Sequence, residues 1–146
     1  MKINIKLDEN CRETEITITA NKLTDEVSEI MQRLSDTSND SLLGYDENSV
    51  VFIDQTDIVR VYATAKKVYA VTDKKEYTLR NRLYDMEEKL NKKIFIRISN
   101  SEIINIKKVK KFDLSFVGTI CISLSDGTIS YASRRYVTKI KKFLGI

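Results

Sequence analysis

Residues 95–112 read FIRISNSEIINIKKVKKF, and this stretch sets the architecture on both sides of it. Phe95, Ile96 and Ile98 form a short apolar run interrupted by Arg97, which reads as a strand over 95–98. Ser99, Asn100 and Ser101 are small hydrogen-bonding residues that turn a chain. Asn100 to Asn105 reads as a turn or short helix carrying Ile103 and Ile104, and Ile106 to Phe112 as a strand interrupted by lysines.

Downstream, Ile120, Ile122 and Leu124 alternate, and Ser125-Asp126-Gly127-Thr128 supplies a hairpin turn before Ile129 and Tyr131. Ser133 is placed to cap a last helix with Tyr136, Val137, Ile140 and Leu144 facing inward and Lys139, Lys141 and Lys142 outward. Upstream, apolar runs at 50–53, 58–62, 68–71 and 77–79 with polar breaks predict a meander, and a helix from Asn81 to about Asn91 lays Leu83, Met86 and Leu90 on it. Residues 2–20 alternate around Ile3, Ile5, Leu7, Ile16 and Ile18, which predicts an antiparallel hairpin. Leu23, Val27, Ile30, Met31 and Leu34 then recur at helical spacing behind Thr24 as N-cap. SDTSNDS, residues 35–41, has no apolar side chain and is the natural linker. The expectation is an α+β, β-dominant protein: a β-β-α leader over 1–40, serving capping, dimerisation or regulation, and one domain over 41–146.

The chain has 146 residues, 25 Lys+Arg, 21 Asp+Glu, two Cys and no His or Pro. That length supports one cored domain with an appendage. Without His, imidazole acid/base chemistry and His-assisted nucleophiles are excluded. Cys11 and Cys121 lie far apart and form no C-x-x-C pair. The four glycines are scattered, so no phosphate-binding loop is present. Carboxylate pairs such as Asp54/Asp57 and Glu87/Glu88 read as caps and solvated faces. No enzyme, no cofactor and no metal site is expected. The opening residues lack the apolar core of a signal peptide and no run is long enough to span a membrane, so a cytoplasmic location is expected.

Charge is segregated. Residues 1–37 carry 5 basic and 8 acidic side chains and residues 38–88 carry 7 and 10, whereas residues 89–146 carry 13 and 3. A basic third of this kind is either a footprint for a polyanion or a solvated lysine-rich face. Three places gather candidate contacts: Lys66-Lys67 at a loop tip, Ser99-Asn100-Ser101, and Ser133-Arg134-Arg135 at the positive end of the last helix. Asn can pair with adenine and Arg with guanine or phosphate.

From about Leu42 to Ile146 the chain resembles the LytTR family of bacterial DNA-binding domains. The resemblance is carried by Phe95-Ile96-Arg97-Ile98-Ser99-Asn100-Ser101 continuing into Ile103-Ile104-Asn105, by the Asp126-Gly127 hairpin, and by Ser133-Arg134-Arg135-Tyr136-Val137 before the lysine-rich end. It implies an elongated, mostly β domain that lays loops and the start of its last helix into successive major grooves of double-stranded DNA and bends it. Carried over by position, Lys66, Lys67, Asn100 and Arg135 approach bases, while Ser101, Arg134, Lys139, Lys141 and Lys142 meet phosphates. The family has a bulky apolar or aromatic residue where this chain has Glu102, whose carboxylate is expected to point away from phosphate or pair with Lys107 or Arg97. Residues 1–37 are too short for a receiver domain. The chain thus looks like a stand-alone regulator, acting as a homodimer on repeated sites and controlled by a partner such as a membrane protein. Two other readings stay open. One is a protein-interaction module with incidental polyanion binding; the other is single-stranded RNA stacking on Tyr62, Tyr69 and Tyr77.

Overall fold

The computed structural model describes residues 1–37 and 41–146; the centre of the expected linker, residues 38–40, lies outside the described residues. The chain divides into two compact units, Met1–Leu34 and Ser35–Ile146.

In the first unit, α1 (Asp25–Thr37) starts as expected: Thr24 Oγ1 accepts the Val27 N–H at 3.3 Å, and Asp25 and Glu26 lie in the first turn. Met31 is buried, and Val27 and Ile30 are half-buried. The predicted hairpin is not formed. Residues 1–23 contain no strand, and the chain turns at Asp8, whose carbonyl accepts the Cys11 N–H (3.1 Å) and whose Oδ1 accepts the Asn10 N–H (2.9 Å). Two strands joined by DENCRE, without glycine, have no tight-turn chemistry to fix a register. A lone two-stranded ribbon is at best marginal in water.

The second unit holds an antiparallel seven-stranded sheet. Its strands are β1 (Ser41–Asp46), β2 (Ser49–Asp54), β3 (Ile58–Thr64), β4 (Lys67–Thr72), β5 (Glu76–Leu79), β6 (Phe95–Ser99) and β7 (Glu102–Asn105), in the order β2-β1-β5-β4-β3-β7-β6. A three-stranded sheet, β8 (Val109–Asp113), β9 (Cys121–Leu124) and β10 (Ile129–Tyr131), has the order β10-β9-β8. The helices are α2 (Leu83–Lys89) and α3 (Arg134–Leu144).

Alternation along the central strands, shifted in β3 by an irregularity between Ile58 and Arg60, divides the interior in two. Ile58, Val61, Phe95 and Ile103 join Leu83, Met86 and Leu90 in one core with α2. Val59, Ile96, Ile98 and Ile104 join Ile120, Ile122, Leu124 and Ile140 in a second core that takes in the small sheet and α3. The near-continuous apolar runs of β6 and β7 follow from this: both faces of these strands are covered. Asn105 is buried at the join. Its Nδ2 donates to Ile58 O (2.8 Å), and its Oδ1 accepts the Lys107 N–H (2.9 Å) to start the 3-10 turn Ile106–Lys108. Three expectations therefore change. Residues 102–105 are a strand rather than a turn or short helix, the lysine-interrupted strand begins at Val109, and the first strand of the domain is β1. Gly44 of β1 lies against Ile53 and Tyr77, where an added Cβ would come 3.0 Å from Tyr77 Cβ and displace the end of Ile53, so a side chain there would force its neighbours to shift.

Candidate nucleic-acid interface

The residues singled out in the sequence converge through strand direction. β3 runs into the turn Ala65–Lys66, and antiparallel β7 leaves the turn Asn100–Ser101; Tyr62 pairs with Glu102, and the Ala63 N–H donates to Ser101 O at 2.9 Å. Both turns therefore lie at one end of the sheet. α3 starts at that end too: the Ser133 N–H donates to Ile98 O (2.9 Å), and the Tyr136 hydroxyl donates to Asn100 Oδ1 (3.1 Å).

Each turn has a local cause. In the hairpin, Ala65 and Lys66 have φ of +48° and +64°, between the paired residues Thr64 and Lys67. Positive φ at both central residues is the type I′ pattern, whose twist matches the flanking strands but which favours Asn and Gly. Lys66 and Lys67 are exposed. The second turn is held by Arg97, which donates from Nε to Ser99 O (3.0 Å) and from Nη2 to Asn100 O (2.7 Å), while its Nη1 lies 3.5 Å from Glu87 Oε2. Ser99 Oγ accepts the Ser101 N–H at 3.2 Å.

At α3, Ser133 occupies the N-cap position, but its hydroxyl makes no capping bond. The helix therefore presents uncapped N–H groups beside exposed Arg134 and Arg135. The Arg134 guanidinium lies against Gly118, where a Cβ would come within 3.3 Å of Nη2. Arg135 stands 5.9 Å from the Tyr136 ring centroid.

Lys139, Lys141 and Lys142 are exposed further along α3. Lys139 and Lys142 are not gathered at the turn end. They border a groove of about 410 Å³ with Glu87, Glu88, Phe95, Arg97 and Phe143.

Glu102 pairs neither with Lys107 nor with Arg97. Its Oε2 accepts from Arg60 Nη1 (3.1 Å) and from the Ser130 hydroxyl (2.8 Å), tying β3, β7 and β10 together. Its charge is thus directed into the protein. Arg60 also lies 4.3 Å from the Tyr62 ring centroid, and Tyr62 stacks on Tyr69 at 5.2 Å. The Tyr62 hydroxyl donates to Glu76, which together with burial pushes its pKa up to about 12. Tyr62, Tyr69 and Tyr77 are half-buried. Tyr62 and Tyr69 spend ring surface on each other, which removes the support for an open RNA-stacking platform.

Sequence reasoning passed over Arg97 and Tyr136 as positioning residues. The signal for Arg97 was a cation inside an otherwise apolar strand; Tyr136 was read only as an inward-facing helix residue.

The LytTr DNA-binding domain matches residues 48–145. Uncharacterized HTH-type transcriptional regulators of Staphylococcus aureus strains COL and MW2 are each 35% identical over 147 residues, covering 100% of this chain and 99% of theirs. A solved LytTr DNA-binding domain from Bacillus cereus superposes with a TM-score of 0.71 at 22% identity, covering 73% of this chain and 98% of its own. Among the described residues no two helices are consecutive: strands separate α1 from α2 and α2 from α3. No helix there is long and apolar enough to cross a membrane. On the match over residues 48–145, this chain belongs to the LytTR family of DNA-binding domains.

Proposed function

We propose that the protein is a sequence-specific, double-stranded-DNA-binding transcriptional regulator that acts as a dimer on repeated sites. The observation that carries this reading is the convergence of Lys66, Asn100 and Arg135 on one end of the second unit, joined by the Tyr136–Asn100 hydrogen bond. A hairpin turn, a strand turn and a helix start, spaced along one end, suit insertion of loops into major grooves. Lys66, Lys67, Asn100 and Arg135 approach base edges. Ser101, Arg134, Lys139, Lys141 and Lys142 meet phosphates, which set the register but carry no sequence information. The relatives' names as transcriptional regulators support the same reading. Control comes from a partner protein, a membrane protein among the candidates.

The test is a fluorescence-anisotropy titration against a duplex enriched from a random pool and against its scrambled version, at two salt concentrations. With roughly six phosphates neutralised, log affinity should fall against log salt with a slope of about −5. Arg135→Ala should cost about 1–3 kcal/mol and relax one base position, while Lys141→Ala should weaken all duplexes alike. Equal affinity for both duplexes, lost with salt, would overturn the reading in favour of a protein-interaction module.

A further inference from the structure

We infer that residues 2–20 form the dimer contact, by pairing strands between two copies of this chain. The inference rests on the dimer reading above and assigns its surface. Ile3, Ile5, Leu7 and Ile16 are 76%, 85%, 93% and 66% exposed, although they follow the period of two that marks one buried strand face. The segment has strand patterning and no strand partner.

Its charges indicate which partner fits. The polar side of the first run carries Lys2, Lys6 and Asp8, and that of the second carries Glu13 and Glu15. In an antiparallel register with Ile3 opposite Ile18 and Ile5 opposite Ile16, Asp8 faces Glu13 at the loop end, while Lys6 stands opposite Glu15, the one opposite-charge pair of this register. A two-fold axis makes that contact twice, the first run of each copy lying on the second run of the other, which is the self-complementarity an isologous interface requires. The apolar side chains then share one face. The S. aureus relatives match this chain along its whole length, so the segment lies within the aligned region.

The experiment is sedimentation velocity on the full-length protein, alone and with a two-site duplex. The wild type should sediment as a dimer. Lys6→Glu and Glu15→Lys should each raise the dimer dissociation constant at least roughly tenfold, since like charges directly opposite destabilise a strand pair and the two-fold axis makes the contact twice. An equimolar mixture of the two should restore the dimer. Only pairing between chains predicts that rescue, because within either variant positions 6 and 15 carry the same sign. Ile5→Asp should also give monomers, and each variant should keep wild-type affinity for a single-site duplex. A dimer indifferent to these changes, or a loss that mixing does not repair, would overturn this assignment and leave the dimer reading standing. A wild type that is monomeric both free and on the two-site duplex would overturn both.

Discussion

The Tyr136 hydroxyl donates to Asn100 Oδ1 across 3.1 Å, so the helix that carries Arg135 holds the turn that carries Asn100. One face of the amide is thereby fixed while Asn100 itself stays exposed. Tyr136→Phe keeps the ring against the second core and removes only this bond. The expected outcome is a fall in affinity for the enriched duplex of roughly fivefold, the size of one hydrogen bond of about 1 kcal/mol. Affinity for scrambled duplex and the urea midpoint should stay close to wild type. An equal loss on both duplexes would mean that the hydroxyl serves phosphate rather than Asn100.

Glu102 carries charge at a sheet junction, with Arg60 on β3 and Ser130 on β10 as its partners. Arg60 Nε is already buried without a partner among the described residues, so removing the carboxylate leaves the guanidinium still less compensated. Glu102→Ala should lower unfolding stability by about 2 kcal/mol in urea titrations, below the range for fully buried pairs because both side chains keep some solvent contact. The double variant Arg60→Met, Glu102→Ala should lose less than the sum of the single changes, because the first change removes the charge the second would strand. Strict additivity would show that the two side chains do not act as a pair.

Much of this was legible in the sequence because burial imposes a period. The stripe Leu83, Met86, Leu90 and the stripe Tyr136, Val137, Ile140, Leu144 lie on the cores as their spacing requires. Gly127, at φ +88°, sits in the predicted hairpin turn. Legibility failed where tertiary contacts decide. Residues 102–105 become a strand because β3 and β6 flank them, which no local pattern states. The partner of Glu102 is 42 residues away, so proximity in sequence favoured the wrong cations. Residues 2–20 carry a strand period, yet period alone does not supply the neighbour a strand needs. The three candidate contact places were visible as residue types; their convergence required the direction of β3 and β7 and the hydrogen bonds that seat the start of α3.

Tyr62 gives a pH signature. Its hydroxyl donates to Glu76, and burial adds to the effect, so the neutral phenol is favoured and the pKa rises from 10.0 to about 12. An acid whose folded pKa is raised contributes stability that is whole below pH 10 and is lost as the pH climbs from 10 towards 12. Ultraviolet titration of phenolate should therefore show one of the seven tyrosines ionising near pH 12, apart from Tyr131, whose pKa is also raised by its hydrogen bond with Cys121. Tyr62→Phe should remove that late step, and Glu76→Gln should move it back towards pH 10. A late step that survives Tyr62→Phe would assign it to another ring.

The β3–β4 turn separates stability from binding. Ala65 at φ +48° and Lys66 at φ +64° hold a conformation that side chains with a Cβ enter at a cost, whereas Asn and Gly favour it. Ala65→Asn should therefore raise unfolding stability by about 0.5–1 kcal/mol with DNA affinity unchanged. Lys66→Gly relieves the same backbone conformation but deletes a cation at the proposed groove-facing tip. It should be more stable than the wild type and still bind DNA more weakly, with the salt slope shallower by about one unit. A residue kept only for the turn would gain stability when changed to glycine and leave DNA affinity unchanged. If Lys66→Gly binds as tightly as the wild type at every salt concentration, Lys66 contacts no phosphate or base and the first of the three contact places drops out of the interface.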